Sequence, residues 1–181
     1  MSTTKKLTLS AMMTALSVVL MIFGVLVQVL DLTVAALVSL VVAFVYIEVG
    51  APFVHFVWLA SSALTFIFFP TAPIWLEYFL IFGPYPILKG YIERAPRCVW
   101  MILKLAAFNL MILALFYLTE LVFGVPLIRP EESLFGISGS IFVGIIWVIM
   151  NIAFVAYDML ITVMVRIYIH KYRDKIKRLL K

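Results

Sequence analysis

What most constrains this chain is the length of its apolar runs. Residues 7–30, 99–123 and 141–169 each run past the length of an ordinary globular helix with few or no charges. A helix needs about 20 apolar residues to cross the roughly 30 Å hydrocarbon core of a bilayer. In that medium a helix closes its backbone hydrogen bonds within its own segment, so the runs predict helices. Hydrophobic residues make up 66% of the 181 and charged residues 13%. A soluble domain is nearer half apolar and a quarter charged, so one small core cannot bury this surface and lipid is the expected solvent.

Spans are expected at about 7–30, 34–47, 52–69, 75–92, 99–123 and 141–169, followed by a basic cytoplasmic tail at 170–181. Together they form a single membrane domain over 1–181. The first run exceeds the roughly 7–15 residues of a signal-peptide core and has no small-residue cleavage site close behind it, so it is read as a retained span. Asp31 falls in a short turn. Glu48 is expected in an exposed loop before Gly50-Ala51-Pro52, with Pro52 in the first turn of the third helix. Gly83-Pro84 and Pro86 interrupt the fourth run, which predicts a kink or an unwound turn. The 89–97 stretch, "KGYIERAPR", reads as a polar, basic link.

Charge placement tests that topology. The formal net charge is +5, and seven of the fourteen Lys and Arg residues lie at or after Arg166. Lys5, Lys6, Lys89, Arg94 and Arg97 flank or enter two other apolar stretches. With six spans all three groups fall on one side, as the positive-inside rule requires, while Asp31, Glu120, Arg129, Glu131 and Glu132 fall on the other. The expected fold is therefore an all-α integral membrane protein. It is a six-transmembrane-helix bundle with both termini cytoplasmic, in a bacterial inner or plasma membrane. The same distribution argues against a nucleic-acid partner.

A single cysteine, Cys98, excludes an internal disulfide. The sequence has no His/Cys cluster, no HExxH, no GxSxG and no P-loop. No catalytic residue, metal site or cofactor is expected, and the chain is not read as an enzyme. His55 reads as a membrane-edge residue.

Polar residues within apolar runs need a reason, because a charge at the centre of a span costs about 2.5–3.5 kcal/mol on insertion scales. Lys104 lies about five residues inside the fifth span, where its ammonium can snorkel to the cytoplasm. Asp158 lies deeper in the sixth, and is expected to face the bundle and bond Asn109 or Lys104. At the outer ends of spans four to six stand Trp75, Glu77, Tyr78, Tyr117, Glu120, Trp147 and Asn151. Aromatic walls with a few convergent polar groups suit a small organic ligand, so these seven are the expected substrate site. Gln28 and Asp31 are its expected lid.

The first span carries small residues in "LSAMMTAL" (9–16). Ala11 and Ala15 are four apart and share a face. Such spacing lets a second helix backbone approach closely in lipid. A second row, Ala35, Ser39 and Ala43, lies on the next span, and either row could instead pack inside the bundle.

"KKLTLSAMMTALSVVL" (5–20) resembles the start of the substrate-binding S components of energy-coupling factor (ECF) transporters. "GPYPILKGYIER" (83–94) is similar to further members of that kind. The resemblance implies six helices, an Ala-x-x-x-Ala pair matched here by Ala11 and Ala15, and docking of that face to a T subunit that couples to two ATPase subunits. It implies a vitamin, precursor or metal-ion substrate bound near the outer face. The N-terminal histidines of metal-type members are absent here, so the substrate class stays open and leans toward a small organic molecule. The alternative is a non-catalytic structural membrane protein, such as an MreD-like component of the cell-elongation machinery.

Overall fold

A computed structural model describes residues 2–27, 30–124 and 139–179, apart from the side chains of 139, 140 and 177–179. Gln28 and the charges Arg129, Glu131 and Glu132 lie outside the described residues. All secondary structure among those residues is helical: α1 (Thr3–Leu26), α2 (Asp31–Glu48), α3 (Phe53–Phe68), α4 (Ile74–Glu77), α5 (Pro84–Ile92), α6 (Arg97–Phe123), α7 (Gly139–Ile167) and α8 (Arg173–Leu179). Four helical stretches are long and apolar enough to cross a membrane: Thr3–Leu26, Asp31–Glu48, Arg97–Phe123 and Ile141–Ile176. The chain is a helical membrane protein on that ground.

Several boundaries differ from expectation, each for a local reason. Asp31 does not sit in a turn; it opens α2, where a carboxylate meets the positive end of the helix dipole. Pro52 precedes α3 as its cap. The last span does not stop at a free tail: a five-residue π-helical segment, Tyr168–Tyr172, carries the helix on into α8. Glu48 is not loop-exposed, because Arg173 Nε donates to its Oε1 at 2.9 Å and the Glu48 side chain is buried.

The proline-broken fourth run stays helical. Between α4 and α5 lies a π-helical turn, Tyr78–Phe82, in which Gly83 N–H donates to the Tyr78 carbonyl at 2.8 Å. That register would next pair the Phe79 carbonyl with residue 84, and Pro84 has no N–H. The indole N–H of Trp58 on α3 donates to the Phe79 carbonyl instead, at 3.1 Å. Gly83 makes room for it, since a Cβ there would stand 2.2 Å from Trp58 Cδ1. The expected kink is thus a π turn whose orphaned carbonyl is satisfied from a neighbouring helix.

This fourth pass organises the bundle. It presents Ile74, Tyr78 and Ile87 to a core built with α1, α2 and α3. It presents Leu76, Ile81 and Tyr85 to a second core built with α6 and α7. Phe108 on α6 stacks on Phe154 of α7 with ring centroids 4.0 Å apart. Within the first core Ser61 and Tyr78 share a hydrogen bond of 3.0 Å.

The two small-residue rows part company. Ala35, Ser39 and Ala43 are buried inside the bundle, at 0%, 0% and 6% exposure. On α1, Ser10, Ser17 and Gly24 recur every seven residues and face inward. Gly24 is close-packed: a Cβ there would meet Ile74 Cδ1 at 2.7 Å. Ala11 and Ala15 lie on the exposed side of the same helix, next to exposed Met12, Leu16 and Val19.

Basic residues collect at one end. Lys6 Nζ stands 6.0 Å from the Phe53 ring centre, Arg94 donates to Tyr46 Oη at 3.1 Å, and Arg173 holds Glu48. Those contacts bring together the start of α1, the end of α2, the start of α3, the end of α5 and the α7–α8 extension.

Candidate functional site: a buried ion-pair cluster

Two stripes of residues face each other across the second core. Tyr85, Lys89 and Glu93 recur every four residues along α5 and onto its cap, so they share a face. Asp158, Thr162 and Arg166 do the same on α7. Where the stripes meet, Lys104 enters from α6.

Asp158 is the hub. Its Oδ1 accepts from Tyr85 Oη at 2.5 Å and from Lys89 Nζ. Its Oδ2 accepts from Lys104 Nζ at 3.1 Å. Lys89 Nζ also donates to Thr162 Oγ1 at 2.7 Å and to the Asp158 carbonyl at 3.1 Å. Glu93 Oε1 lies 2.8 Å from Lys104 Nζ and 3.3 Å from Lys89 Nζ. Both lysines are 5% exposed. A lone ion in such a place costs several kcal/mol. Here two cations meet two anions, and the Lys89 ammonium, which has three protons, has four oxygens around it. The cluster balances two positive charges with two negative ones, and it ties α5, α6 and α7 together.

Of the two alternative partners expected for Asp158, Lys104 is the one it bonds, and the Lys104 ammonium is buried there and does not snorkel to water. Asn109 does not reach Asp158; its Nδ2 donates to Asn151 Oδ1 at 2.9 Å, and Asn151 Nδ2 returns a bond at 3.3 Å. Lys89, Glu93, Tyr85 and Thr162 escaped the sequence reading. The 89–97 stretch resembled a link because of its charges. The recoverable signal was the four-residue spacing of Tyr85, Lys89 and Glu93 opposite the same spacing from Asp158.

The seven expected substrate residues are divided. Tyr78 is fully buried in the first core and bonded to Ser61. Asn151 spends its amide on Asn109 and on the Trp147 carbonyl. Tyr117 and Glu120 lie on the exposed side of α6, Tyr117 at 69%. Trp147 packs beside Phe116 in the second core. Trp75 donates its indole N–H to the Pro70 carbonyl at 3.1 Å and meets Phe66 edge-on. Glu77 Oε2 is buried without a hydrogen-bond partner among the described residues, and so is Oδ1 of Asp31.

The cluster borders a cleft of about 300 Å³ between α2, α5 and α7, to which Lys89, Glu93, Thr162, Arg166 and His170 contribute. Among the described residues no group of His, Cys, Asp and Glu has the arrangement of a metal site. Fold and cluster together define an all-helical membrane protein with a charge-neutral lock inside its bundle. No family model, curated protein or solved structure matches the chain.

Proposed function

We propose that this chain is the substrate-capture subunit of an ECF-type importer. It has six spans with both termini in the cytoplasm, and it docks to a T subunit through α1. The observation that carries this reading is the contrast between the two small-residue rows. Ala35, Ser39 and Ala43 are consumed by internal packing. Ala11 and Ala15 are not, although they have the spacing that allows close helix approach. Small side chains are not required against lipid alone, since bulky ones fill lipid equally well. The gathering of Lys6, Arg94 and Arg173 at one end supports the six-span topology through the positive-inside rule. α3, of 16 residues, and the 74–92 pass supply the two remaining crossings. The sequence has no P-loop, so energy would come from two partner ATPase subunits.

Substrate recognition rests on the opposite end. Of the residues expected there, Glu77 retains a buried oxygen without a partner among the described residues. Trp75, two residues earlier on the same helix, faces away from that oxygen and packs on Phe66 and Phe123. A small organic molecule with a hydrogen-bond donor would satisfy the Glu77 oxygen.

One observation favours a second reading, a structural scaffold: Tyr78 and Asn151 are spent on internal bonds. Purification in mild detergent with mass spectrometry of what accompanies the chain separates the two. The transport reading expects a T subunit, two ATPases and a small molecule that is lost in Glu77→Gln. Recovery of cell-wall proteins without a small molecule would favour the scaffold.

A further inference from the structure

The cleft beside the ion cluster has a shape and a charge that the proposed transport role does not use. Its polar part holds Arg166 and His170 at the mouth and Lys89, Glu93 and Thr162 within. An adjoining apolar groove of about 200 Å³ runs between α2 and α7 past Leu40, Phe44 and Met164. Ala43, Ile47 and Val165 line both, so the polar cleft and the apolar groove are immediate neighbours.

The charges in the cleft are not equivalent. Lys89 is neutralised by Asp158 and Glu93. The Arg166 guanidinium has no ion pair or hydrogen bond among the described residues, and it is exposed. His170, one turn on, uses Nδ1 on the Arg166 carbonyl at 2.9 Å, which leaves Nε2 unengaged. The far wall is the Tyr46 ring. It lies so close to α5 that a Cβ on Gly90 would come within 2.5 Å of it. Depth also matters. Arg166 lies 25 residues beyond Ile141, or about 37 Å along a helix at 1.5 Å per residue. A hydrocarbon core is about 30 Å thick, so a helix that enters it at Ile141 reaches the far lipid phosphates near Arg166.

We propose that this cleft binds an anionic phospholipid, with its phosphate on the Arg166 guanidinium and one acyl chain along the α2–α7 groove. A soluble anion has no use for the groove. A zwitterionic lipid carries its own cation beside the phosphate and so gains less from Arg166. Basic pockets between spanning helices favour anionic head groups for this reason.

Native mass spectrometry of the full chain tests it, with added phosphatidylglycerol, phosphatidylcholine of the same chains, or glycerol phosphate alone. Phosphatidylglycerol is expected to be retained at one copy, about tenfold over phosphatidylcholine, on the order of what one or two interfacial cations provide. Glycerol phosphate should neither be retained nor compete. The pair Arg166→Gln with His170→Gln should erase the preference, and Arg166→Lys, which keeps the charge, should preserve it. Val165→Trp, which fills the groove, should lose the lipid. Equal retention of the two lipids, displacement by glycerol phosphate, loss in Arg166→Lys, or an unchanged preference in the double variant would overturn the proposal.

Discussion

Asp158 carries a charge into the second core, and its neighbours make that tolerable. Removing one member of a buried ion pair typically costs about 3–5 kcal/mol, because the partner is left uncompensated. Asp158→Asn leaves two buried ammonium groups with only Glu93 between them. Lys104→Met leaves the excess negative charge on Glu93, which is one-third exposed and can be hydrated. Thermal unfolding in detergent should therefore show a larger loss for Asp158→Asn than for Lys104→Met. Adding Glu93→Gln to Lys104→Met restores neutrality and should recover part of the loss; an additive double variant would refute the pairing. Asn109 and Asn151 form a weaker link, since interhelical hydrogen bonds in membranes average about 0.6 kcal/mol. Asn151→Leu should lower stability only slightly, and Asn109→Leu with Asn151→Leu should be no worse than either alone. At this scale the sequence exposed Asp158 and Lys104, because a charge in an apolar run stands out. It hid Lys89, whose neighbours looked like a loop, and it could not distinguish an amide that binds substrate from one that binds another amide.

Element by element, existence was easier to read than ends. Hydrophobic length located the four stretches long enough to cross a membrane, since lipid demands length. Where a helix starts depends on single groups: Asp31 reads equally well as a turn or as a favourable first residue. The fourth pass shows the limit most clearly. Gly83-Pro84 announced an irregularity, but its form depends on Trp58, which is 25 residues away in sequence. That dependence is testable. Trp58→Phe leaves the Phe79 carbonyl without a donor, and an unsatisfied buried acceptor costs about 1–3 kcal/mol. Pro84→Ala restores an N–H that can close the π-type bond to that carbonyl. Trp58→Phe should thus cost less in the Pro84→Ala background than alone, by unfolding in detergent. Equal costs in both backgrounds would show that the indole bond contributes nothing. Gly83→Ala should destabilise in either background, because its Cβ has no room beside the Trp58 ring.

For the molecule as a whole, topology and docking are the questions, and charge placement spoke more clearly than any site motif. Cys98 is the sole cysteine, is exposed, and opens α6 at the basic end, so it is a native reporter of sidedness. A membrane-impermeant maleimide should label it in inside-out vesicles and not in intact cells. Ser2→Cys combined with Cys98→Ser should behave the same way; labelling of the two from opposite faces would exclude an even number of crossings between residues 2 and 98. The exposed face of α1 that carries Ala11 and Ala15 was visible in "LSAMMTAL" only as a cluster of small residues. Packing then sorted it, turning Ser10 and Ser17 inward and leaving Ala11 and Ala15 outward, a division that periodicity alone could not make while the neighbours of α1 were unknown. The most direct measurement compares Ala11→Trp and Ala15→Trp with Ala35→Trp, reading thermal stability and recovery of the T subunit and ATPases together. The docking account predicts that the two α1 variants keep parental stability and lose their partners, while Ala35→Trp, buried at 0% exposure, fails to fold stably. Full recovery of the partners with tryptophan at both Ala11 and Ala15 would contradict it.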